Sequence, residues 1–156
     1  MNDIQFKDLC HDVSLQLEAD DACALGEHGR IEIEGVNVAL YFDEQVAGDR
    51  LFCYIDLGHV EEDQRAEVFE NLLTLNLLNG SKTTGVYGYD PTSGNAIFAV
   101  QLLQPELLDG AQLAAALRQY ASQANSLRNV FINRPMRMPV TGLAAQGKAA
   151  RPMNLA

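Results

Sequence analysis

The stretch GSKTTG, residues 80–85, sets a lysine among glycines and hydroxyl side chains, the residue types that hold a nucleotide phosphate. A phosphate loop needs glycine directly before that lysine, a strand behind it and a helix after it, so that backbone N–H groups face the anion. Here Ser81 precedes Lys82 and the segment follows an apolar run of helical length, so no phosphate site is expected. Cys10 and His11, taken with Cys23 and His28, offer the thiols and imidazoles that zinc prefers. No CxxC pair accompanies them and their spacing fits no tetrahedral zinc pattern, so no metal is expected. GxSxG, HExxH and glycine-rich dinucleotide patterns do not occur. Carboxylates such as Asp12 and Glu18 read as solvated surface. Neither an enzyme nor a cofactor is expected. A small-molecule enzyme or ligand-binding protein remains an alternative, to be tested at His59 and Cys53.

Charge says more than motif. The net charge of −10 is uneven: from Arg134 onward stand four bases and no acid, which leaves 21 acids against 7 bases in residues 1–133, a net of −14. A body that acidic repels phosphate backbones and anionic membrane surfaces, so nucleic-acid binding is not expected. No run approaches the ~18–20 apolar residues of a membrane span, and membrane insertion is not expected. The N-terminus, MNDIQFKDLCHDVSLQLEADD, lacks the basic start and apolar core of a signal peptide. The chain is therefore read as cytoplasmic, its three cysteines as free thiols in a reducing compartment.

At 156 residues there is room for one domain with one sizeable core. Residues 4–17 place Phe6, Leu9, Cys10, Val13 and Leu17 at helical spacing. After an irregular acidic link come three strands, RIEIEG, VNVALYFDE and LFCYIDLG, with EQVAGD as the loop between the last two. The third strand sets Leu51, Cys53, Ile55 and Leu57 on one face, and Phe52 and Tyr54 on the other. Residues 61–78 form a second helix stopped by Asn79-Gly80. Two strands then flank the turn DPTSGN, where Asp-Pro and Gly94 suit a tight reversal. Asp109 and Gln112 resemble a capping box that opens a third helix to about residue 129, striped by Leu113, Leu117, Tyr120, Ala124 and Leu127. The last 24 residues, with three of the five prolines, carry no periodicity and are expected to form a flexible tail. The order is α+β with an antiparallel sheet.

The second helix poses a problem of coverage. At about 100° per residue, with Leu72 at zero, Leu73 falls near 100°, Leu75 near 300°, Leu77 near 140° and Leu78 near 240°. One sheet covers about half of that circumference. Exposing two leucines forfeits several kcal/mol, at roughly 1.5–3 kcal/mol each. A second copy of the chain would cover them most simply, the alternative being a helix sandwiched inside its own domain, and a homodimer is expected. The sheet raises a parallel question, because Tyr41, Phe52 and Tyr54 point away from the expected core: either a helix covers them or they form an exposed aromatic patch of the kind that marks a binding surface.

The segments AEVFENLLTLNLLNG, TTGVYGYDPTSGNAIFAVQLL and DGAQLAAALRQYASQANSLR, in that order, resemble the Tir-chaperone (CesT-type) family of type III secretion chaperones. Its pattern is a leucine-rich helix ending in Asn-Leu-x-x-Gly, a glycine-containing strand, an Asp-Pro hairpin, a strand and an Ala/Leu-rich helix. The resemblance covers about residues 1–132, and residues 133–156 match no part of it. It implies an α-β-β-β-α-β-β-α fold with a twisted antiparallel sheet, homodimeric through the second helix and with no ATPase of its own. It implies a bacterial cytoplasmic chaperone whose client is an effector, held by a non-globular N-terminal segment and delivered to the secretion apparatus, with the secretion ATPase as a further partner. On that footing Leu72, Leu75, Leu78 and Val86 are expected at the dimer contact. Phe6, Val13, Tyr41, Phe52 and Tyr54 are expected to receive the effector. A chaperone-fold regulatory or protein-binding module with no link to secretion is the alternative.

Overall fold

Alternation of large apolar and polar residues builds one five-stranded sheet. Its strands are β1 (Arg30–Ile33), β2 (Val36–Tyr41), β3 (Arg50–His59), β4 (Gly85–Asp90) and β5 (Asn95–Leu103). The computed structural model describes residues 1–79 and 85–132. The sheet order is β1-β2-β3-β5-β4 and every pairing is antiparallel. Val38 lies opposite Ile55, Ile55 opposite Phe98, and Phe98 opposite Tyr87, so one row of the buried face crosses four strands. Because side chains alternate, the neighbouring row of Ala39, Tyr54, Ala99 and Val86 must face the other way.

Helices α1 (Asp3–Gln16) and α5 (Gly110–Leu127) close the buried face. α1 buries Leu9, Cys10 and Val13; α5 buries Leu113, Leu117 and Ala121. Both begin with a capping box: Asn2 with Gln5, and Asp109 with Gln112 as the sequence predicts. Each box satisfies N–H groups that the first helical turn leaves without partners. Arg118 of α5 donates to the Gln16 carbonyl at 2.6 Å, tying the two helices at the end of α1.

Two short helices stand where the sequence suggests irregular chain: α2 (Ala24–His28) in the acidic link and α3 (Glu44–Ala47) in the loop before β3. α2 buries a single residue, Leu25, and stops at Gly29 with φ of 64°. One buried side chain in five residues leaves no periodicity to detect. The second long helix, α4 (Arg65–Asn79), starts later than residue 61, because a turn closed by Gln64 N–H to Glu61 O comes first. The expected stop residue Gly80 and the expected tail at 133–156 lie outside the described residues.

A π-helical turn, Arg128–Ile132, follows α5. Arg128 donates to the carbonyls of Leu57 (3.1 Å), Asp56 (2.9 Å) and Gly35 (3.1 Å). It reaches them because β3 bulges between Asp56 and Gly58, with Gly58 at φ of 107° and its α-carbon against the arginine side chain. The end of α5 is thus fixed to the β1–β2 turn and to the end of β3.

Candidate functional site

Two apolar surfaces remain open once this core is closed. The first is the outer face of the sheet, where Tyr41, Tyr54, Val86 and Leu103 are exposed and Phe52, Ile97 and Ala99 are half-buried. Tyr54 stands between two grooves. One, of about 470 Å³, has Val86, Gly88, Ile97 and Ala99 as its apolar floor and Tyr89, Asp90 and Pro91 as its far wall. The other, of about 480 Å³, runs along Ala39, Leu40 and Tyr41 to His28 and Arg30. A Cβ placed on Gly88 would meet nothing within 4 Å, so the groove floor is open where a larger residue would fill it. Tyr41 and Phe52 lean together with ring centroids 6.3 Å apart. The Tyr41 hydroxyl donates to Asp43 at 3.2 Å, and that carboxylate pushes the phenol above its ordinary pKa.

The second surface belongs to α4. Val68, Leu72 and Leu75 turn into the core, Leu72 and Leu75 being 5% and 7% exposed. Leu73 and Leu77, one turn apart, are 69% and 65% exposed, and Leu78 also reaches solvent. The helix lies along edge strand β4, with Phe69 tilted against Tyr89, ring centroids 4.9 Å apart, and the Arg65 guanidinium 5.5 Å from the same ring. Asn76 exchanges two hydrogen bonds with the Tyr87 backbone, as a neighbouring strand would. Phe69, Leu73, Gly88 and Tyr89 border a small cleft between helix and strand, so the open flank of α4 runs into the outer-face groove.

The family model of the Tir chaperone protein (CesT) family matches residues 11–128. This chain belongs to that family. The fold is also that of the ExsC–ExsE complex, with a TM-score of 0.63 and 17% identity over 84% of this chain and 96% of that one. It is similar to the HopA1–SchA chaperone–effector complex, with a TM-score of 0.56 and 21% identity over 82% and 96% of the two chains. The ExoT–SpcS complex from Pseudomonas aeruginosa gives 0.51 and 20%, over 81% and 98%. No sequence among the curated proteins matches the chain.

On this CesT-family frame the expected site residues separate into groups. Tyr41, Phe52 and Tyr54 share the open outer face, joined by Ile97, Ala99 and Gly88, which sequence alone did not single out. Phe6 sits elsewhere, half-buried and stacked on Phe42 at 5.5 Å. Val13 is fully buried between α1 and the core, so it offers no surface to a partner. Its i, i+3/i+4 spacing with Leu9 and Cys10 is the reason. Leu72 and Leu75 are likewise core, while Leu78 and Val86 are exposed. Leu73 and Leu77 are exposed apolar residues that the sequence reading did not single out. Their angles near 100° and 140° already place them on one flank, but the sequence does not say which flank meets the sheet. Tyr87 turns inward, stacked on Phe98 at 4.6 Å and accepting a hydrogen bond from Gln123 at 2.8 Å.

The other edge strand of the sheet is β1. Leu40 N–H bonds to the Gly29 carbonyl, so the ladder continues at Ile31 and Ile33 and leaves the peptide groups of Arg30 and Glu32 facing outward. Among the described residues no cluster of three metal-ligating side chains occurs, and no helix is long and apolar enough to cross a membrane.

Proposed function

We propose that this chain is a cytoplasmic type III secretion chaperone, which binds the N-terminal segment of an effector and keeps it non-globular. The observation that carries the reading is the open outer face in a CesT-family fold: a groove on each side of Tyr54, with no side chain of the described residues over Gly88. Extended chain suits such a surface. Its side chains enter grooves at alternate positions while its backbone adds to an exposed edge such as β1. Similarity to the HopA1–SchA chaperone–effector complex supports an effector as the client.

The reading includes a homodimer. Leu73, Leu77 and Leu78 leave between them the open surface of about two leucines, at roughly 1.5–3 kcal/mol for each leucine fully covered. A second α4 laid against the first covers them with a self-complementary patch. Residues 1–132 act as the chaperone domain, no residue has a catalytic role, and the secretion ATPase receives the loaded complex. Native mass spectrometry of the full chain purified from its own cells is the test. The expected species is two copies with one effector whose N-terminal segment resists protease. Gly88→Val, which fills the groove, is expected to weaken that complex at least tenfold while leaving the dimer intact. A complex unaffected by Gly88→Val and Tyr54→Ala together would remove the outer face from the reading.

A further inference from the structure

Two consecutive carbonyls at the tip of the β1–β2 hairpin are held by one flank of α5 and the turn that follows it. The Asn125 side-chain amide donates to the Glu34 carbonyl at 3.0 Å, and Arg128, three residues on, donates to the Gly35 carbonyl at 3.1 Å. The turn closes without them. Ile33 pairs with Val36 around two residues whose φ values, 52° at Glu34 and 75° at Gly35, suit the type I′ turn that matches strand twist. Glu34 and Gly35 are both exposed, so water could satisfy the same carbonyls. Glu34 also holds a left-handed conformation that glycine or asparagine would adopt at less cost. The hairpin is thus gripped from outside as well as closed from within.

The strand so gripped is the one with least support of its own. β1 is the shortest of the five strands, pairs only with β2 among the described residues, and buries a single side chain, Ile33. Short edges of this kind open locally while the rest of a sheet stays closed. Its unpaired side carries the peptide groups of Arg30 and Glu32, along a crevice of about 560 Å³ that residues 17–21 also line. The hairpin carries Ala39 and Tyr41 as well, which line the groove on one side of Tyr54. Arg128 ties it to β3, the strand of Tyr54, because the same guanidinium donates to the Leu57 and Asp56 carbonyls at 3.1 and 2.9 Å. One planar fork thereby sets the hairpin tip against the β3 bulge.

We propose that Asn125 and Arg128 are positioning residues for client binding: they hold the β1–β2 hairpin so that the Arg30 and Glu32 peptide groups stand ready before a client strand arrives. Neither residue touches the client. The inference rests on reading β1 and the outer face as the client site, and adds the device that keeps that edge ordered. Order imposed in advance removes an entropy cost that binding would otherwise carry, so its loss shortens the life of the complex.

Amide hydrogen exchange and complex lifetime test this together, on the full chain. Arg128→Lys leaves one point donor where a fork spans three carbonyls, and Asn125→Ala removes only the bond to Glu34. In the unloaded chain, exchange at the Ile31 and Ile33 amides is expected to quicken about tenfold in Arg128→Lys and about threefold in Asn125→Ala. The effector that co-purifies from the protein's own cells is expected to dissociate about fivefold and about twofold faster, respectively. Asn76→Ala, which frees the opposite edge of the sheet, controls for lost stability and is expected to change neither reading. Should Arg128→Lys fail to fold, Asn125→Ala carries the test. Unchanged exchange at Ile31 and Ile33 would overturn the proposal, since the two residues then hold nothing. Faster exchange with an unchanged complex lifetime, or equal loss of lifetime in Asn76→Ala, would overturn it too and leave them a structural role alone. Absence of any effector complex from the parent chain would remove the client reading and this inference with it, a failure seen in the parent rather than in the variants.

Discussion

The carboxamide of Asn76 and the backbone of Tyr87 are paired twice: the amide nitrogen donates to the Tyr87 carbonyl at 2.9 Å, and its oxygen accepts from the Tyr87 N–H at 2.7 Å. One side chain on α4 thereby completes the edge of β4. Tyr87 faces Phe98 at a position where its peptide groups point away from β5, so without Asn76 they would be an open edge. Edges of that kind recruit other strands. Asn76→Ala leaves both groups without this partner and is expected to cost about 1–3 kcal/mol. Urea denaturation checks this through a lowered midpoint at unchanged slope.

The leucines of α4 divide by direction. Leu72→Ala empties a core position and is expected to destabilise the fold by about 2–5 kcal/mol. Leu73→Asp and Leu77→Asp sit on the exposed flank and are expected to alter stability of the separated chain by no more than about 0.5 kcal/mol. Their effect should appear in size. Light scattering is expected to give twice the 17.1 kDa chain mass for the parent and the single mass for the double variant. A parent already at the single mass would end the proposal that this flank pairs.

Thiol reactivity should separate the three cysteines. Burial pushes Cys10 and Cys53 up to about 12, while Cys23 lies exposed. The thiolate is the reactive form, so at pH 8 the two buried groups stay protonated as well as shielded. A disulfide reagent is expected to titrate one thiol per native chain quickly and all three after denaturation.

Acid should act on the β4–β5 turn through Asp90. The Ser93 hydroxyl and then the Thr92 N–H hold its carboxyl below the ordinary carboxylate range. A depressed folded pKa contributes stability that is fully present above the unfolded value, ~3.9, and is lost as pH falls through the folded value. Carboxyl carbon NMR is expected to show Asp90 titrating below the ordinary aspartate range, and Ser93→Ala should move it back up.

Much of this protein is legible from residue order. The alternation of Leu51, Cys53, Ile55 and Leu57, the Asp109–Gln112 cap and the Asp90-Pro91 turn are local signals, and each appears where it is expected. So is the excess of apolar surface on the second helix and the outer-face placement of Tyr41, Phe52 and Tyr54. Short α2 and α3 are not legible, since elements of one turn show no period.

What the order of residues determines, then, is which side chains share a strand face or a helix flank, because backbone geometry repeats every two or 3.6 residues whatever surrounds it. It does not determine which flank finds a partner. Only the tertiary structure turns Leu72 and Leu75 inward and Leu73 and Leu77 outward, by setting α4 against the edge of β4 rather than across the sheet. It also brings Gly88, Ile97 and Tyr54 to one groove from three strands, a contact that depends on strand order and register. Burial is a property of neighbours distant in sequence, and no local spacing encodes them.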